Sequence, residues 1–481
     1  MERIVPKYKL VARTLLAAFW VLGTYLFPIQ EIVPGAEAMA TSYMSLLGDA
    51  AIILLGLWTI RNRMDIALYV ALLLIGLVSA LANDIPTVLF VNGMRSYLIP
   101  ISLLIVVRYL LATRERVRYF LPLFEKSLYI FLLLQFPVMV IQCFRWGAYD
   151  NVGGTLGWMM SGPVSTLLYL ISFYLMVRRW DNDKTYLENL AQNYILLICL
   201  FPSMLNETKI SFLYLAMYFL FLVPMDRRFL KRMLYVVPLM LLIFVGAVAL
   251  YITILGGDTV EDYEGTKSEV TSSQFLNEYT VGNDEIRTMV LDGYMEAVMP
   301  EVDETDFARG LKFACVPILL DDTPHAWFIG FGPSQFKGGT TLELTPFAEE
   351  YEWLIKGTHM SAFSYVIDMG IVGIAWMAWY LLVLFRAFRH VRKRSKRITW
   401  FVALLMVISI AYMQLLSMIV MMIIFTFIAM VSSRVPLFKY APLPGGWLLK
   451  PLPEASASDP SRTHEPCVPT SLDTHALAPR R

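Results

Sequence analysis

Residues 357–376 read GTHMSAFSYVIDMGIVGIAW, a histidine at the mouth of a long apolar run with a carboxylate and two glycines strung out beneath it. Imidazole titrates near neutral pH with little energetic bias, so His359 at a water interface is a candidate general base. On a helix, the positions four, seven, eleven and fourteen residues further on share its face, and these are Phe363, Val366, Gly370 and Gly373. The two glycines then form a groove below the imidazole into which another helix can pack. Asp368 points the other way, roughly 13 Å deeper at about 1.5 Å per residue. An ionisable group at that depth needs a partner, and Arg108, also inside an apolar run, is a candidate. Asp368, Gly370 and Gly373 are therefore read as structural. The plain reading of His359 is a polar residue at a helix end.

Upstream, the interval 256–358 holds twenty Asp and Glu against six Lys and Arg, so its cations stand out. Arg309 opens RGLKFACVPILL, where Leu311, Ala314, Cys315 and Ile318 have the spacing of one helical face. Pro317 predicts that this helix stops near Val316. Further on, WFIGFGPSQF at 327–336 is a turn made by Gly330, Gly332 and Pro333. Its backbone N–H groups can approach an anionic oxygen, although most such turns only reverse the chain.

The elements that must position these groups lie in a membrane. The chain has 481 residues, 57% hydrophobic and 14% aromatic, with 16% charged and a mean hydropathy of +0.58. A soluble protein carries about a quarter charged residues. The net charge of +1 gives no reason to expect a nucleic-acid partner, because the charges are segregated along the chain. A span needs about 20 apolar residues, and candidates fall near 10–28, 41–60, 66–82, 97–113, 127–144, 163–179, 192–207, 209–225, 233–255, 360–386, 398–414 and 416–434. The seventh, interrupted by Pro202, is short. Basic clusters at the N-terminus, Arg61 and Arg63, Arg114 to Arg118, Arg178 and Arg179, Arg227 to Arg232 and 386–397 all fall on one side of this count, which makes that side cytoplasmic. The expectation is an all-α polytopic membrane protein of about twelve transmembrane helices with both termini cytoplasmic. Residues 1–435 form its membrane domain, with one large extracytoplasmic loop at 256–358 between the ninth and tenth spans. The Pro-, Ser- and Thr-rich residues 436–481 form a disordered cytoplasmic tail. AEAMA at 36–40 resembles a signal-peptidase site, but the apolar core before it is long for a signal peptide and is read as a retained helix. Cys143, Cys199, Cys315 and Cys467 have no metal-site or redox spacing, and only a Cys143–Cys315 bridge stays open.

Arg309, GFGPSQF at 330–336 and HMSAFSYVIDMGIVG at 359–373, in a chain of this topology, resemble the bacterial O-antigen ligase and O-antigen polymerase superfamily of GT-C-type membrane glycosyltransferases. The chain departs from the pattern at Met360, where Asn, Ser or Gln is usual, and at Lys209 in NETKIS, where relatives tend to have Arg. The resemblance implies transfer of a glycan from undecaprenyl diphosphate to an acceptor hydroxyl at the outer face of the bacterial inner membrane, without metal or other cofactor. Its partners would be the lipid-linked glycan, a lipid or glycan acceptor and other polysaccharide-assembly proteins. It implies that Arg309 binds the diphosphate, with Lys209, Arg95, Arg287 and the Gly330 and Gly332 turn assisting, and that His359 activates the hydroxyl or contacts the phosphate. Arg95 and Lys209 also read as topology anchors. Polymerase and ligase are not distinguished. The rivals are a transporter or lipid-linked glycan flippase, against which the absence of an internal repeat weighs, and a metal-dependent transferase using Asp321 and Asp322 or DND at 181–183.

Overall fold

A computed structural model describes residues 6–32, 37–147, 152–157, 160–181, 183–204, 209–223, 234, 237, 238, 242, 316, 317, 319–321, 323–335, 344–351, 361–388, 397–403 and 418–433. The chain divides into Met1–Tyr440 and Ala441–Arg481, and the second unit lies outside the described residues. Among the described residues the protein is all-helical, without strands. The principal helices are α1 (Lys7–Thr24), α2 (Leu26–Ile32), α3 (Glu37–Thr59), α4 (Arg63–Ala82), α5 (Thr87–Leu110), α6 (Arg114–Trp146), α7 (Ser161–Arg179), α8 (Tyr186–Gln192), α9 (Tyr194–Ile198) and α10 (Lys209–Leu222). They are followed by the short α11 (Ala326–Ile329) and α12 (Pro346–Glu350), then α13 (Ser361–Phe388) and α14 (Met418–Ser432). Among the described residues, four segments are long and apolar enough to cross a membrane: Arg63–Ala82, Thr87–Leu110, Arg114–Trp146 and Ala362–Leu384. The expected seventh span is broken as its proline requires, with α9 giving way to a 3₁₀ turn at Phe201–Met204.

Sequence decides which helix sits where. Without a distinct polar face, α5 lies at the centre, packed against α3, α4 and α14 and buried along most of its length. Its neighbour α4 buries Leu68, Leu72 and Gly76 but leaves Val70, Leu74, Val78 and Leu81 on the outside. An apolar outer face of that kind matches a lipid surround better than water. Asn62 starts α4 by accepting from the Met64 N–H at 3.1 Å, and Pro86 fixes the entry to α5.

Ion pairs join neighbouring helices of the bundle. Arg95 of α5 lies 3.2 Å from Asp49 of α3, Arg108 of α5 lies 3.1 Å from Asp65 of α4, and Arg178 of α7 lies 2.6 Å from Glu125 of α6. Arg108 therefore meets a carboxylate on α4, not Asp368. Three basic clusters that the sequence assigns to one side also meet: Lys7, Arg61 and Arg116 stand 5.9, 5.1 and 4.1 Å from the Tyr109 ring. Their convergence at the end where α5 stops puts the α4–α5 turn at the opposite end.

Candidate functional site

At that opposite end the turn 330–335 is clasped between α4, α5 and α13. The clasp begins with a fault in α13, because Gly370 has φ 60° and ψ −156°, which no α-helix accommodates. A helix broken there loses the N–H groups that would have served the carbonyls one turn earlier. Those carbonyls find other donors: Ile367 O accepts from the Phe331 N–H at 2.7 Å, and Asp368 O accepts from the Gly332 N–H at 3.2 Å and from Ser79 Oγ of α4 at 2.9 Å. The fit is tight, since a side chain on Gly370 would strike the Phe328 carbonyl and one on Gly330 would strike the backbone of Asp368 and Met369.

Small side chains complete the clasp. Asn83, at the end of α4, donates through Nδ2 to Ser79 O at 2.8 Å and to Gly330 O at 3.0 Å. Ser334 Oγ donates to Leu89 O, and Gly93 allows the Pro333–Ser334 backbone to lie directly on α5. Gln335 returns its amide to Phe331 O at 2.6 Å and accepts from Thr345, which caps α12. Directly below, the Tyr97 hydroxyl of α5 donates to Asp368 Oδ2 at 2.5 Å, with Ser364 O 3.2 Å away, and the Tyr365 ring stands edge-on to it at 4.9 Å.

The structure thus brings Gly330, Gly332, Asp368 and Gly370 into one unit. It also corrects two expectations. The turn's N–H groups, expected to face an anion, are already engaged: Gly330 N–H on Ala326 O, and the next two on α13. Gly370 and Gly373 do not share one continuous helical face, because the face is interrupted at Gly370 itself. What Gly370 admits is the α11 backbone, whereas a side chain on Gly373 would meet Met369 and Tyr365 O of its own helix. Arg95, expected to bind substrate, lies two residues before Tyr97 and is paired with Asp49. His359, Arg309, Arg287 and the Lys209 side chain lie outside the described residues, as does Cys315.

No protein-family model matches the chain, and no curated protein matches it either.

Of the carboxylates weighed as metal ligands, Asp321 accepts the Trp327 indole N–H at 2.9 Å. Asp181 accepts from the Asp183 N–H at 3.0 Å and faces Lys184 at 3.7 Å, while Asp322 is outside the described residues. One polar residue at this end was not singled out from the sequence. His325, exposed at the start of α11, lies with Nε2 3.3 Å from Asn83 Oδ1. Nothing in its sequence position marks it, since its partner is 242 residues away.

Proposed function

We propose that the chain is a membrane glycosyltransferase that moves a glycan from an undecaprenyl-diphosphate carrier to an acceptor hydroxyl, as a polymerase or a ligase. The observation that supports it is the clasp. The two stretches through which the sequence resembles that superfamily, GFGPSQF and HMSAFSYVIDMGIVG, are joined backbone to backbone at Ile367 and Asp368, at the end of the bundle assigned to the outside. In the reaction the acceptor oxygen forms a bond to the anomeric carbon, the bond from that carbon to the diphosphate breaks, and the hydroxyl proton leaves. Charge grows on the diphosphate, and a guanidinium with its paired donors suits it; that is the role of Arg309. His359 either takes the proton or contacts the phosphate.

Alanine at His359 or at Arg309 is expected to abolish transfer while the protein still accumulates in the membrane. The assay is electrophoresis of cell-envelope glycans beside an immunoblot. Arg309→Lys, which keeps the charge and loses the fork, is expected to be impaired, and a chelator to have no effect. Full transfer in both alanine variants would remove the reading. In a deletion strain, single repeat units on the carrier identify a polymerase, and long unattached chains identify a ligase.

A further inference from the structure

His325 and Asn83 form a dyad whose hydrogen placement the surrounding bonds decide. Both Nδ2 hydrogens of Asn83 are committed, one to Ser79 O at 2.8 Å and the other to Gly330 O at 3.0 Å. The amide orientation is therefore set, and the atom facing His325 Nε2 at 3.3 Å is the oxygen. An amide oxygen only accepts, so Nε2 must carry the hydrogen. In a neutral imidazole the other nitrogen is then a bare acceptor, and Nδ1 belongs to an exposed side chain. The backbone at this point is held as well, because His325 O accepts from the Phe328 and Ile329 N–H groups at 3.1 and 3.2 Å.

We propose that His325 binds the acceptor glycan: Nδ1 accepts the hydrogen of a sugar hydroxyl, and Asn83 is the positioning residue that fixes the tautomer. The tautomer selects the ligand class. An ionised diphosphate offers only acceptor oxygens, which a bare nitrogen lone pair repels, whereas a saccharide offers hydroxyl donors. The site sits on the same clasp that joins the two motif segments, through Asn83 to Gly330. This assignment rests on the transfer reading above.

The test uses membranes containing the full chain. Lipid-linked glycan extracted from cells lacking the gene is supplied at saturation as donor, and the envelope glycolipid fraction of the same cells is titrated as acceptor. His325→Gln keeps a donor where Nε2 was and loses the Nδ1 acceptor, while His325→Asn keeps an acceptor near Nδ1 and gives up the bond to Asn83. The acceptor KM is expected to rise about tenfold in H325Q, the factor a single hydrogen bond supplies, with kcat within about twofold and H325N less affected. A purely structural dyad gives the reverse order, with H325Q close to wild type, and that order overturns the proposal. So does an H325Q variant whose kcat falls at unchanged KM. The H359A control separates the two readings: an inactive H359A beside a wild-type KM in H325Q overturns the His325 assignment alone, and no transfer by wild-type membranes overturns both.

Discussion

The loop at 152–157 and the turn at 330–335 both carry irregular backbone into a bundle of apolar helices, where unsatisfied N–H and C=O groups are costly. The loop is satisfied by two neutral side chains of one helix. Gln142 donates to Gly154 O at 2.8 Å and accepts from Gly154 N–H at 2.6 Å, and Gln135 donates to Thr155 Oγ1 at 2.7 Å and accepts from Thr155 N–H at 2.9 Å. Thr155 Oγ1 passes its own hydrogen to Gly23 O of α1 at 2.5 Å. Each of these groups is buried and the chain of bonds closes on protein. The turn, by contrast, is satisfied by carbonyls freed at the fault in α13, rests on a carboxylate at Asp368, and runs out through Asn83 to an exposed imidazole. A closed neutral network is a fastening. One that includes a carboxylate and opens onto an exposed histidine has the makings of a site.

The contrast is broken most directly at Gly330. Its φ of 73° and ψ of −171° lie in a region that costs other residues about 1–3 kcal/mol, and a methyl group there would press on backbone that cannot rotate away, adding about 1–3 kcal/mol of overpacking. Gly330→Ala is expected to lose about 4 kcal/mol in total, read as a lower melting temperature in detergent, and to lose transfer with it. A G330A protein as stable as wild type would mean that the clasp does not hold α13.

Gln142→Leu probes the other region. It leaves the Gly154 N–H buried without its partner, while Gly154 O keeps the Gly157 N–H at 3.1 Å, so the cost is that of one orphaned group, about 2 kcal/mol. The loss of stability is about half that of G330A, and transfer per folded molecule is expected to stay at the wild-type level. If Q142L reduces turnover per molecule as G330A does, the division between fastening and site is wrong.

The helices were legible because apolar runs, prolines and basic flanks mark their ends directly. Pro202 announced the break after α9, and the clusters around Lys7, Arg61 and Arg116 announced their common end. Less legible was whatever depended on backbone torsions. A spacing argument along α13 assumes an unbroken helix, and Gly370 ends that assumption within the segment on which it was used. Pairing across helices was hidden for a related reason: Asp65 and Asp368 were both available to Arg108, and only the packing of α5 beside α4 chooses between them. Gln135 and Gln142 did leave a signal, two amides seven residues apart on one face of an apolar helix, followed by the glycines of VGGTLG. Two amides seven apart in an apolar span ask for backbone to hold.

Gly147 separates the two contributions assigned to Gly330. Its φ of 82° and ψ of 179° nearly reproduce those of Gly330, yet a side chain built on it finds nothing within 4 Å. Gly147→Ala should therefore show the torsional cost alone. Because the residue ends α6, part of that cost can relax, and a loss of about 1 kcal/mol is expected, with transfer unchanged. The difference between G330A and G147A in the same detergent then measures what the contact with Asp368 and Met369 contributes. Equal losses would assign the whole effect to local backbone torsion, and the turn at 330–335 would become an ordinary reversal of the chain lying beside α13.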